Sequence, residues 1–146
     1  MPITAPDAAF PTLWVAAAVL VDTRGRVLLA RRPEGGHLPG HYELPGGKVA
    51  LGESVAQALQ RELIEELELN LAIDSTQAWR FVEHRYDDRH VVLLLFWIDN
   101  LNPDMPIQLH VHDDVQWVHP EAFSSYLVPP ADLDVMTSIA ARLCSN

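Results

Sequence analysis

At 146 residues, 49% of them hydrophobic, the chain is long enough to bury a substantial core and reads as one domain spanning 1–146. Ten basic against twenty acidic residues give a formal net charge of −10, which argues against a polynucleotide partner, since that affinity comes from neutralising phosphates with Lys and Arg. No apolar run is long enough for a membrane span, and a lone cysteine, Cys144, excludes an intramolecular disulfide framework and fits a reducing, cytoplasmic compartment.

Residues 1–12, with Pro2, Pro6 and Pro11, read as a loosely ordered lead-in. LWVAAAVLV, from Leu13 to Val21, is a buried strand; it lacks the basic leader and cleavage site of a signal peptide. DTRG, Asp22 to Gly25, has turn chemistry, and RVLLARR returns from it as the second strand of a hairpin. The stretch PEGGHLPGHYELPGG is a long connection rich in glycine and proline, and connections of this length are often functional.

Ser54 then marks a helix start, with Gln57 three residues on completing a capping box. Ala56, Leu59, Leu63 and Leu67 follow at helical spacing as the apolar stripe. Strand-like segments come next: LAI (71–73), AWRFVEHRY (78–86) and VVLLLFWI (91–98). The last shows no alternation, so both of its faces are expected to be covered. DVQWV (114–118) is a further short strand, PEAFSSY a short helix or turn, and PADLDVMTSIAARL a closing amphipathic helix. Mixed strands with one helix inserted centrally and one at the end predict an α/β fold, a mixed sheet flanked by helices.

The central helix and its end carry four glutamates from Glu62 to Glu68. Glu62, Glu65 and Glu66 stand at i, i+3 and i+4, on one arc beside the apolar stripe. Such like charges repel, and partial burial sharpens the conflict unless the groups take up protons or a cation. Mg²⁺ resolves it well, because it takes a few carboxylates together with substrate phosphates. A solvated acidic helix face is the competing reading, and composition alone does not separate the two.

The spacing does. Gly47, Glu53, Arg61, Glu62, Leu63, Glu65, Glu66 and Leu69 together resemble the Nudix box; its six Gly, Glu and Arg positions would coincide by chance at about 10⁻⁷ per window. One position departs: the family pattern has glycine where this chain has Glu68. That glycine would end the helix in a left-handed conformation, so the helix here is expected to run slightly further and use Asn70 as its cap.

The resemblance implies a Nudix-type α/β/α sandwich and a metal-dependent attack of water on phosphorus. It implies that Glu62, Glu65 and Glu66, with the backbone carbonyl of Gly46, hold Mg²⁺, for which Mn²⁺ could substitute. Arg61 would orient a glutamate through a charge-assisted bond, with Glu53 as its partner or an outer metal ligand. Gly46 and Gly47 would let the backbone approach a phosphate closely.

Outside the box, the chain is similar to MutT-type enzymes, which remove oxidised guanine nucleotides. ARRPEGGHLPGHYELPGGK resembles their stretch of two arginines, a loop histidine and a glutamate before PGG; DRHVVLLLFW resembles their DRH strand. On that likeness Arg32 and His37 would meet phosphates or sugar, Leu44 and Arg89 would flank the base and Asp132 would face its edge, with Glu43, Gly46, Gly47 and Lys48 also in the substrate-binding set. Two departures leave the base open. The guanine-type enzymes carry Asn at the position of Asp132, and an ionised carboxylate only accepts hydrogen bonds where an amide also donates. The stretch HDDVQWVHPEAFSSYLVPPAD is equally similar to CTP pyrophosphohydrolases.

Asp132 also stands at the N-cap position of the last helix, and Arg31, Arg32 and Arg89 could be surface charges. Several relatives place a glutamate where this chain has Val111; His110, His112, Asp113 and Asp114 surround it, and one of them could serve as base or ligand. Glu62 is the choice for general base. The four tryptophans are assigned mainly to the core. A small nucleotide is the implied partner, with monomer and homodimer both open.

Overall fold

The computed structural model describes residues 11–145. Of the lead-in predicted at 1–12, residues 1–10 lie outside them, and Thr12 already belongs to a strand. Seven strands and two α-helices are seen among the described residues: β1 Thr12–Asp22, β2 Val27–Arg31, β3 Tyr42–Glu43, β4 Gly46–Lys48, α1 Val55–Leu67, β5 Ala78–Arg85, β6 His90–Leu101, β7 Asp114–Val118 and α2 Leu133–Leu143. Short 3-10 turns at Ser75–Gln77, Pro120–Ser125 and Pro130–Asp132 complete them.

The sheet runs β3-β2-β1-β6-β5, and β1 is its centre. On one side β1 pairs in parallel with β6, from Thr12↔His90 to Asp22↔Leu101. Its other edge is divided: Val15, Ala16 and Ala17 pair with Lys48, Gly47 and Gly46 of β4, whereas Val21 pairs with Val27 of β2. The remaining pairs are antiparallel, so the sheet is mixed, as expected.

Alternation along β1 separates two cores. Ala16, Ala18 and Leu20 pack with Leu59, Leu63 and Leu67 of α1 and with Phe96 and Ile98 of β6. Ala17, Val19 and Val21 pack on the opposite face with Val135, Met136 and Ile139 of α2. Both faces of β1 and β6 are therefore covered, and the α/β/α sandwich is present. The α1 stripe is as read, except that Ala58 is fully buried and Ala56 only partly so.

Several local readings hold. Ser54 accepts from the Gln57 backbone N–H at 3.1 Å while the Gln57 side chain accepts from the Ser54 N–H at 2.8 Å, closing the capping box. Asp22 organises the first turn, accepting from the backbone N–H groups of Arg24 and Arg26 at 2.9 Å each and from Arg26 Nε at 2.8 Å. The long connection holds the two short strands β3 and β4. Trp97 is buried against Trp79 with ring centroids 5.0 Å apart, but Trp14 is 51% exposed, outside the core assigned to it.

Two readings are corrected. LAI (71–73) forms no strand: Leu71 and Ile73 press against the α1-side core, and the chain enters a 3-10 turn capped by Asp74. The helix does not continue to Asn70. Glu68 itself adopts the left-handed conformation, φ 54° and ψ 34°, and its N–H returns to Ile64 O at 3.0 Å, as in an αL cap. The conformation costs a residue with a Cβ about 1–2 kcal/mol. The segment before β7 offsets part of it: His110 Nε2 lies 2.6 Å from Glu68 Oε2. Glu68→Gly is expected to stabilise the fold by about 0.5–1 kcal/mol, because the relieved backbone cost exceeds an exposed ion pair of roughly 0–1 kcal/mol. Urea melts of the two proteins check the sign.

Candidate active site

The glutamates of α1 differ in burial as their angular positions require. Glu65 is the outermost, its side chain 57% exposed, whereas Glu62 retains 15%. Glu66 turns furthest inward, and its Oε2 is buried with no hydrogen-bond partner. Its carboxyl is pushed up to about 7, chiefly by burial; the Glu62 and Glu43 carboxylates add to this, and His112 opposes it.

Arg61 binds this face together. Its guanidinium grips Glu53 through Nε at 3.1 Å and Nη2 at 2.7 Å. Nη1 donates to Glu62 at 2.9 Å and Glu65 at 3.2 Å, and Nη2 also donates to the Lys48 carbonyl at 3.0 Å. Glu53 accepts from the Ala50 N–H at 2.7 Å as well. Hydrogen bonding from Arg61, then from Ala50, holds the Glu53 carboxyl down at about 2.

The two glycines explain how helix and strand come so close. A Cβ on Gly46 would fall 2.0 Å from Ala16 O, inside the β1–β4 ladder. A Cβ on Gly47 would lie 2.2 Å from Glu62 Cδ and 2.5 Å from each of its carboxylate oxygens. The Glu62 carboxylate thus occupies the space that a side chain at 47 would fill.

On the α2 side of Gly47 opens a cavity of about 650 Å³. Arg32, His37, Glu43, Leu44, Gly46, Gly47, Lys48, Arg89 and Asp132, dispersed over a hundred residues of sequence, all line it. His84 and Tyr86 of the β5 end, which the sequence did not single out, line it too; no tryptophan does. Asp132 stands at the N-cap of α2 but makes no capping hydrogen bond, and its residue lines the cavity. Burial, then the Glu43 carboxylate, holds its carboxyl above the ordinary range against the pull of Arg32 and His84. Arg89 lies over the Tyr86 ring at 5.1 Å, with Nε buried and unpartnered and Nη1 3.9 Å from the Asp88 carboxylate in the hairpin turn. A second hollow, of about 780 Å³ and mainly apolar, lies between the start of α1 and β5–β6, away from the glutamates.

The polar residues around Val111 resolve into separate roles. Val111 is 51% exposed. His110 pairs with Glu68, Asp113 accepts from Arg31 Nε at 2.6 Å, and Asp114 accepts from the Tyr42 hydroxyl at 2.6 Å. His112 alone turns inward, 6% exposed, its Nε2 2.9 Å from Glu43 Oε2. Two clamps aim it: Gln108 and His110 donate backbone N–H groups to the last carbonyls of α1, those of Leu67 and Glu66, and Asp113 donates its N–H to Arg31 O. No local pattern in the sequence separates His112 from its polar neighbours; only this long-range path does.

Among the described residues no three acidic, imidazole or thiol side chains already converge on one point. The donor set nevertheless fits a hard divalent cation. The candidate donors are carboxylate oxygens, the Glu62 and Glu66 carboxyls act on each other, and the buried Glu66 oxygen lacks any hydrogen-bond partner.

The family model for the NUDIX domain matches residues 16–138. The chain belongs to the Nudix hydrolase family. It is MutT-like, a hydrolase of phosphorus-containing acid anhydrides. The 8-oxo-dGTP diphosphatase of Proteus vulgaris is 41% identical over 88 residues, 59% of this chain and 75% of that protein. The CTP pyrophosphohydrolase of Escherichia coli (strain K12) is 33% identical over 127 residues, 85% of this chain and 89% of that one. The solution structure of the E. coli ORF135 protein superposes with a TM-score of 0.78 at 29% identity, covering 97% of this Nudix chain and 98% of its own. Nudix hydrolases generally require a divalent metal, usually Mg²⁺, in keeping with the carboxylate set described above.

Proposed function

We propose that this Nudix hydrolase is a Mg²⁺-dependent nucleoside triphosphate pyrophosphohydrolase of the 8-oxo-dGTP diphosphatase type, acting in the cytoplasm to cleanse the nucleotide pool. Water and a nucleoside triphosphate give a nucleoside monophosphate and pyrophosphate. The observation that carries the reading is the placement of Gly47, which touches the Glu62 carboxylate on one side and lines the nucleotide-sized cavity on the other.

Glu62, Glu65 and Glu66, with the Gly46 carbonyl, are the residues that would hold Mg²⁺; when bound, the metal supplies charge neutralisation at the phosphates. The protein's own groups do the rest. Arg32, oriented by Glu43 at 2.8 Å, and Lys48 receive phosphate oxygens. Gly46 and Gly47 let the chain between sheet and helix approach them. Glu62, kept in place by Arg61, takes the proton from the attacking water. Leu44, His37 and Arg89 enclose sugar and base, and Asp132 meets the base edge.

A cytosine-directed reading has its own support. The CTP pyrophosphohydrolase likeness spans 85% of the chain, and the Asp132 carboxyl can take either form, a protonated acid donating as well as accepting. Protonated, it pairs with the N3 and exocyclic amine of cytosine; ionised, it accepts from the N1–H and N2–H of guanine. Chromatographic analysis of the monophosphates formed from 8-oxo-dGTP, dGTP, CTP and dCTP, with and without Mg²⁺, tests both. The guanine reading requires 8-oxo-dGTP to be hydrolysed fastest, and equal turnover with metal removed would overturn the mechanism. Binding without any product would make the chain a non-catalytic nucleotide-binding module.

A further inference from the structure

His112 and Asp22 are the buried polar side chains of the described fold, and only Asp22 is satisfied by its own turn. His112 sits between two parts of the site. On one side is Glu43, whose Oε2 lies 2.9 Å from His112 Nε2 and whose Oε1 accepts from Arg32 Nε at 2.9 Å and Nη2 at 2.8 Å. On the other is Glu66, close enough to interact electrostatically with the imidazole. An ionised Glu43 only accepts, so His112 Nε2 carries the hydrogen and donates. In the neutral ring Nδ1 is then a lone pair, and it is buried without a partner.

We propose that His112 is a positioning residue: its Nε2–H fixes Glu43, and through Glu43 the Arg32 guanidinium, to the glutamate face of α1, so that the phosphate-receiving arm and the carboxylates are held as one unit. The arrangement has a physical reason. β2 pairs with β1 at Val21–Val27 and its Leu28 shares the core of the α1 leucines, but Arg32 and Glu43 stand at the other end of β2 and β3, away from that pairing. There the His112 hydrogen bond joins their side chains to the segment whose backbone is clamped on the last carbonyls of α1. The two clamps on either side of residue 112 supply the rigidity such a tie needs.

In its kinetic consequences the inference rests on the pyrophosphohydrolase reading, so the test has one arm that does not. His112→Leu keeps volume without a donor, and His112→Gln keeps an N–H. The leucine variant should raise KM for the best nucleoside triphosphate of the panel about tenfold, the loss of one hydrogen bond to a charged group, with most of it restored by glutamine. Arg32→Ala should cost about fivefold less in the leucine background than in the wild type, because the two residues act through the same carboxylate. Equal KM values for Leu and Gln, or an undiminished Arg32→Ala penalty, would overturn the proposal and leave a packing role. In the second arm, imidazole ¹⁵N spectra of the metal-free wild type and of Glu43→Gln are recorded near pH 8. The wild type should show the Nε2–H tautomer, altered on losing the Glu43 carboxylate; an Nδ1–H tautomer would overturn it. Should no nucleotide be hydrolysed, the pyrophosphohydrolase reading falls, and the spectra still decide whether His112 holds Glu43.

Discussion

Replacing Glu66 by glutamine is expected to move activity and stability in opposite directions. Burial lifts the Glu66 carboxyl from 4.5 to about 7 in the fold. Between those values the native state binds the extra proton, so its stabilising effect is complete below about pH 4.5 and is lost as the pH rises through about 7. At about pH 9, an ionised Glu66 in metal-free protein costs on the order of 3 kcal/mol before screening, and less after it because the group is not fully enclosed. Glutamine carries no such cost. Melts of the metal-free proteins from pH 5 to 9 should show the wild type declining relative to the variant. Turnover with Mg²⁺ should fall about 10²–10³-fold, the scale of losing one stabilising group at the reacting centre. Parallel stability curves would refute the buried acid, and undiminished turnover would remove Glu66 from the chemistry.

Arg61 is the second position of large effect. One guanidinium reaches Glu53, Glu62, Glu65 and the Lys48 carbonyl at once, and an ammonium cannot reproduce that fork. Arg61→Ala and Arg61→Lys should both lower kcat/KM by about 10²-fold, since displacement of a reacting group by an ångström suffices for that. Wild-type rates in the lysine variant would show that charge alone matters. The same substitution reports on acid stability. Glu53 titrates at about 2 in the fold, so its pairing stabilises the protein above about pH 4.5 and is lost as the pH falls through about 2. In Arg61→Ala that acid-side slope should flatten.

What the sequence disclosed was what neighbours along the chain decide. Ser54 and Gln57 are three residues apart, and their capping box formed. DVQWV was bounded by polar residues and became β7 from end to end. The glutamate spacing identified a shared helix face, but only packing graded it, leaving Glu65 in solvent and burying an oxygen of Glu66. Glu68 took the left-handed form, for which its own chemistry argues poorly, because His110, forty-two residues away in sequence, came to meet it. His112 was named only as one of four polar residues around Val111, for the same reason: its inward turn is dictated by α1 carbonyls and by β2, which no local window contains. Asp132 was read with two competing places, and the missing cap bond was a fact of side-chain orientation alone.

The contact between Gly47 and Glu62 carries a consequence for how such a protein can change over time. Because the acid fills the volume of an absent methyl, this contact constrains the glycine for as long as the acid remains. A descendant that dispensed with Glu62 would be released at position 47 in the same step, so a larger residue there is a fossil of surrendered chemistry, legible without an assay.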